Sequence, residues 1–232
     1  MQYFFLIFGI IAAIVFNVLR KPQVTLNVVV IKGVTSLCFI FTALFAFVGN
    51  PDCPAYLGAF TVAGACFGLI GDIVLDLKYL YKSDADKFLN MGFISFLIGH
   101  LFYAAGMIYT YGYNVYVFGF TALCVVCGAL FAVVAEKIMK YKYGKFKLVT
   151  ILYTAVLNAT FGMAFAYAVA KPGAHSIVIT VGLFFFLLSD LILSGTYFSQ
   201  KEKDRNNRVT VVLNHSAYYI AQFLIASSLI LF

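Results

Sequence analysis

Apolar residues fill this chain in long runs, and the polar positions gather between them. Eight runs stand out, at about residues 3–19, 27–48, 55–77, 88–110, 115–135, 148–170, 174–198 and 209–231. Each is close to the roughly 20 apolar residues that a helix needs to cross a bilayer. The pattern predicts an all-α, polytopic transmembrane bundle of about eight helices. No polar linker sets off a soluble part, so residues 1–232 are expected to form one domain. The prolines Pro22, Pro51, Pro54 and Pro172 all fall in connections, where a missing N–H costs least. Tyr79, Tyr81, Tyr111, Tyr113, Tyr141 and Tyr143 gather near run ends, and with no Trp in the chain they are expected to form the interfacial belt. The first run lacks a basic leader, and Arg20 and Lys21 follow it. That order suits a first membrane helix rather than a cleaved signal.

Composition supports lipid as the solvent. The chain is 63% hydrophobic and 11% charged, with a mean hydropathy of +0.98; a soluble domain carries about 25% charged residues. The net charge of +7 could suggest nucleic acid, but the charge follows the membrane. Arg20, Lys21 and Lys32 lie around the 1–2 connection, and Lys78, Lys82 and Lys87 around 3–4. Lys137, Lys140, Lys142, Lys145 and Lys147 lie around 5–6, and Lys201, Lys203, Arg205 and Arg208 around 7–8. Of 16 cations, only Lys171 belongs to the other side. Because basic connections stay cytoplasmic, both termini are expected to face outward. In a bacterium the location would be the plasma (inner) membrane. The five cysteines are odd in number and irregularly spaced, which is no disulfide framework. Cys124 and Cys127 read as packing residues on one helix face.

The two halves echo each other. Gly71-Asp72-Ile73-Val74-Leu75 in the third run resembles Ser189-Asp190-Leu191-Ile192-Leu193 in the seventh. His100-x-x-Tyr103 returns as His215-x-x-Tyr218, and Lys32-x-Val34-Thr35 as Lys147-x-Val149-Thr150. Lys, Asp, His and Tyr are separated by 40, 28 and 3 residues in the first half and by 43, 25 and 3 in the second. This is the pattern of a 4+4 tandem repeat about an axis along the membrane normal. Asp72 and Asp190 would then lie at similar depth and face each other near the bundle axis.

Ionisable groups inside spans are costly, by at least about 2.5–3.5 kcal/mol on insertion scales. They should face the interior and find partners. At about 1.5 Å per residue, Asp72, Asp190 and His215 fall in the cytoplasmic half and His100 deeper, with Asn158 in the membrane on the same side. A lone Asp or His in a span can simply hydrogen-bond a neighbouring helix. Two carboxylates at one level suit general acid–base work. Glu136 is expected to pair with Lys140 one turn on, Asp76 to be interfacial, and Lys147 to belong to the basic connection. There is no G-x-S-x-G elbow, and no HxxxH or clustered ligand spacing that would mark a metal site, so neither metal nor cofactor is expected.

At these residues the chain resembles the lysoplasmalogenase family, the YhhN-like membrane proteins. The matching pieces run in order along most of the chain: Lys32, then Gly71-Asp72 with Leu75, then Gly92, Phe96, His100 and Tyr103. Tyr153 and Met163 match more weakly. Phe186, Ser189-Asp190, Leu193 and Phe198 follow, and Tyr218-Tyr219 with Gln222 and Ile225 close the set. Gly33 departs from the family's Lys-Pro. The resemblance implies hydrolysis of the vinyl ether of a lysophospholipid, a lysoplasmalogen, by water, to a fatty aldehyde and glycerophosphocholine or glycerophosphoethanolamine. Asp72 and Asp190 would divide the acid and base roles, as two carboxylates do in glycosidases. His100, Tyr103, Tyr218 and Gln222 would orient water, and Lys32 would hold the phosphate. Asn158, Ser189, His215 and Tyr219 complete the supporting set. Rival readings are a proton-coupled transporter or lipid-binding membrane protein, and a metal-dependent lipid hydrolase using Asp72, Asp190, His100 and His215.

Overall fold

The structure is a computed structural model that describes residues 1–20, 24–112, 114–201 and 207–232. Lys21, Pro22, Tyr113, Lys203 and Arg205 lie outside the described residues. Among the described residues, eight helices are long and apolar enough to cross a membrane: α1 (Gln2–Leu19), α2 (Leu26–Gly49), α3 (Ala55–Leu80), α4 (Ala85–Tyr111), α5 (Val115–Ile138), α6 (Lys147–Ala170), α7 (Ala174–Phe198) and α8 (Arg208–Ser228). They match the eight apolar runs. Most differences are a few residues of amphipathic extension past the apolar run, such as the last turn of α3, which carries Lys78 and Tyr79. There is no strand among the described residues, only an isolated bridge between Tyr141 and Ser199.

Local chemistry sets the helix ends. Asn114 caps α5 by accepting from the N–H groups of Tyr116 and Val117, and Asn207 caps α8 at Val209. Gly112 ends α4 at φ 77°, a left-handed turn that glycine takes without strain. Pro51, Pro54 and Pro172 lie outside the helices, as expected.

Tight packing of α3 on α4 depends on missing side chains. A Cβ on Gly64 would come within 2.4 Å of the Tyr103 ring and 2.8 Å of the Gly99 carbonyl oxygen. About two turns further along, Gly71 receives Phe96 and Gly92 receives Leu75. α8 packs on α7 in its own half and on α1, α2 and α3 in the other, so it ties the halves together.

Four contacts gather the basic connections at one end of the bundle. Arg20 at the end of α1 pairs with Asp76 near the end of α3. Arg208 donates to the Val18 carbonyl at 3.2 Å. Lys145 pairs with Asp86 at the start of α4, and the Lys142 N–H donates to the Phe198 carbonyl at 2.9 Å. At the opposite end, Asn50 donates to the Leu229 carbonyl at 3.0 Å and Tyr167 to the Gly112 carbonyl at 2.6 Å.

Four expectations change. Asp76, expected as an interfacial residue, is buried inside the bundle between Arg20 and Lys32. Glu136 pairs at 2.6 Å with Lys147, not with Lys140, because Lys140 leaves the helix at φ 55°. Tyr141 and Tyr143 turn inward and are buried, Tyr143 edge-on to Phe198, so they roof the interior instead of joining a belt. All five cysteines are free; Cys124 packs against Gly162, whereas Cys127 faces outward.

Candidate active site

Asp72 lies about two turns from the C-terminal end of α3, facing α2 and α8. Its Oδ2 accepts from Ser36 Oγ at 2.6 Å and from the Tyr218 hydroxyl at 2.7 Å, and Lys32 Nζ stands 3.4 Å from its Oδ1. One turn on, Asp76 Oδ2 lies 3.6 Å from the same ammonium, and its Oδ1 meets Arg20 Nη2 at 3.3 Å. Two carboxylates and two cations thus form a charge-balanced cluster, all at most 4% exposed. The hydrogen bonds to Asp72 continue outward: Gln222 Nε2 donates to the Tyr218 hydroxyl at 3.1 Å, and the Tyr103 hydroxyl donates to Gln222 Oε1 at 3.2 Å. Every donor in this chain points toward the carboxylate, so each bond polarises the next.

Asp190 has a different environment. The Tyr153 hydroxyl of α6 donates to it, and no cation comes within ion-pair distance among the described residues. Its neighbour Ser189 is buried and held from α8: Asn214 Nδ2 donates to the Ser189 carbonyl at 2.7 Å and to its Oγ at 3.0 Å. That latch fixes this turn of α7 against α8.

Two cavities meet at Asp190. The first, of about 240 Å³, lies between α4, α5, α6 and α7 and is walled mainly by apolar residues, among them Phe93, Phe131, Ala132, Leu157 and Leu191. Phe131 and Leu191 are also exposed on the outer surface of the bundle. The second, of about 40 Å³, is polar: Arg20, Lys32, Asp72, Asp76, Asn214 and His215 face it. Leu75, Phe96, Asp190, Leu193 and Tyr197 line both cavities. Tyr197 lies beneath the Lys78 ammonium, 3.1 Å from its ring centre.

The fold therefore brings Asp72, Asp190, Lys32, Ser189, His215 and Tyr218 around one polar chamber. Tyr103 and Gln222 reach it only through Tyr218. His100 is not in it. Its ring is edge-on to Phe186 at 4.5 Å in a separate crevice with Gly64 and Gly99, and neither nitrogen has a hydrogen-bond partner among the described residues. Tyr219 does not line the chamber; its ring packs edge-on to Phe16 beside a groove between α1 and α8, and its hydroxyl end lies by Thr35 and Ser36 of α2. Asn158 lines the apolar cavity, its amide donating to the Thr154 carbonyl at 2.8 Å. Lys32 does not present a free ammonium for a phosphate, because two buried carboxylates share it. His215 Nδ1 lies 2.7 Å from the Val211 carbonyl, which fixes a proton there and makes Nε2 the acceptor of the neutral ring.

A family model describing the YhhN family matches residues 4–229, nearly the whole chain. The chain belongs to the YhhN family. Comparison with curated proteins and with solved structures gives no match. The motifs that carried the sequence resemblance thus lie in a YhhN protein. Ser36, Asn214 and Tyr197 also build this YhhN site and have no place in the sequence reading, and Arg20 and Asp76 enter that reading only as a connection cation and an interfacial acid. Asp76 had a readable signal, since it sits four residues after Asp72 and shares its helix face. Asn214 had none, because its role is set by the turn of α7 that it meets. No three His, Cys, Asp or Glu side chains converge among the described residues in a way that would hold a metal ion.

Proposed function

We propose that this protein is a membrane-embedded lysoplasmalogenase, hydrolysing the vinyl ether of a lysophospholipid by carboxylate acid–base catalysis. The observation that carries the reading is the position of Asp190 in the wall between an apolar cavity and a polar chamber that also holds Asp72. A lipid vinyl ether needs such a place, with hydrocarbon on one side and water and charge on the other. Phe131 of α5 and Leu191 of α7 line the apolar cavity and are also exposed on the outside of the bundle, which supports entry of a lipid chain between these helices.

The different surroundings of the two acids suggest their roles. Asp190, without a cationic partner, gives its proton to the β-carbon of the vinyl ether. The resulting oxocarbenium ion is stabilised by the Asp72 carboxylate, which Lys32, Ser36 and Tyr218 hold in place. Water adds its oxygen to the cationic α-carbon and leaves a proton on Asp72. The hemiacetal then collapses. Its hydroxyl proton returns to Asp190, the bond to the glycerol oxygen breaks, and that oxygen takes the proton from Asp72. Both acids end as they began, and the products are an aldehyde and a glycerophospho-alcohol. Lys32 serves here to balance Asp72 and Asp76, not to bind phosphate.

The test uses purified Asp72→Asn and Asp190→Asn proteins with a lysoplasmalogen, measuring aldehyde release. Loss of turnover by about 10² or more is expected for each, the usual scale for a general acid or base. Wild-type rates in both folded variants would end the proposal.

A further inference from the structure

The polar chamber contains more hydrogen-bonding capacity than its own residues use. Arg20 Nε and Nη1 are buried there and make no hydrogen bond among the described residues, and Asp76 Oδ2 has only the Lys32 ammonium, 3.6 Å away. Arg20 is 3% exposed and Asp76 2%. Buried polar groups of this kind are satisfied by ordered water where there is room. A water needs about 10–15 Å³ of such space, so a chamber of about 40 Å³ takes roughly three. The apolar cavity across the Asp190 wall has far more room but only weakly polar walls.

From this we infer that the polar chamber is a water-binding site that supplies the nucleophile, separate from the cavity that takes the lipid. The inference rests on the vinyl-ether reading for the nucleophile's role, but the water site itself does not. Lipid enters from the bilayer side between α5 and α7. Water stands on the Asp72 side, held by Arg20, Asp76 and His215 Nε2, and attacks across the wall at Asp190. The chamber's size sets a limit on what else can replace water there. Methanol fits the space of the waters it would displace, and branched alcohols do not.

Two measurements test this. The first needs no turnover: a short pulse of hydroxyl radicals in the purified protein labels side chains that touch bound water. His215 and Tyr218 are expected to be labelled more heavily than Met107 and Met163, which are buried away from the chamber and intrinsically more reactive. An unlabelled chamber overturns the water site whatever the enzyme does. The second adds alcohols to a turnover assay and looks for the lipid acetal, substrate plus one alcohol, by mass spectrometry. A methanol adduct without a tert-butanol adduct is expected. Val211 also lines the chamber; in Val211→Phe, which narrows it, aldehyde and adduct should fall together by roughly tenfold or more, as for a misplaced reactant. Adducts that form equally with all alcohols would overturn the chamber as the source of the nucleophile. A labelled chamber with neither aldehyde nor adduct would instead sink the vinyl-ether reading and the nucleophile's role with it.

Discussion

Lys32 shows how far a single residue's meaning depends on its partners. In the sequence it is a cation about one turn inside a span, and the family resemblance makes it a phosphate ligand. In the fold it is shared by Asp72 and Asp76. Removing one member of a buried ion cluster leaves an uncompensated charge, at a cost of about 3–5 kcal/mol. Lys32→Met should therefore lower the thermal midpoint in detergent sharply, and adding Asp72→Asn should recover part of the loss. If Lys32 instead held substrate phosphate, Lys32→Met would melt near the wild type and mainly raise KM. The two acids of the site were legible in the sequence, because a carboxylate in a span is expensive and two at matching positions are doubly so. Their partners were not. Ser36 looks like an ordinary span residue, and Tyr153 is only a weak family match, until α2 and α6 are packed against α3 and α7.

At the scale of elements, the α3–α4 pair is what sets the inner end of the hydrogen-bond chain. Gly64 lets the Tyr103 ring lie against α3, and from there its hydroxyl reaches Gln222. Gly64→Ala puts a methyl where the Tyr103 ring and the Gly99 carbonyl already are, so the helices must separate, at about 1–3 kcal/mol. Gly33→Ala is the control, since nothing lies within 4 Å of its added carbon. Thermal melts of both in detergent should differ in that direction; equal midpoints would refute the close-packing account. Helix existence and extent were readable from hydropathy, since in lipid the backbone has few other choices. Which faces meet was not, because apolar side chains look alike toward lipid and toward protein. His100 is the clearest case: its family motif was visible, but its crevice away from the chamber depends on the glycine seam beside it.

For the whole molecule, two proposals remain from the sequence: the tandem repeat and the orientation. The hydrogen bonds favour the repeat, since Ser36 reaches Asp72 from α2 over 36 residues and Tyr153 reaches Asp190 from α6 over 37. Lys147 breaks the parallel, because it pairs with Glu136 at the surface whereas Lys32 is buried. The orientation rests on the gathering of the basic connections at one end of the bundle, the end nearest both aspartates. Such an end should stay cytoplasmic, placing the site toward the inner leaflet and both termini outside. Single cysteines in a background without the native five check this in intact cells or spheroplasts. Lys142→Cys, on the exposed 5–6 connection, should react only with a membrane-permeant maleimide. Asp52→Cys, exposed at the other end, should react with an impermeant one added outside. The opposite pattern would invert the molecule and open the site to the outer leaflet, which would change the pool of lipid it can draw on without altering the chemistry proposed for Asp72 and Asp190.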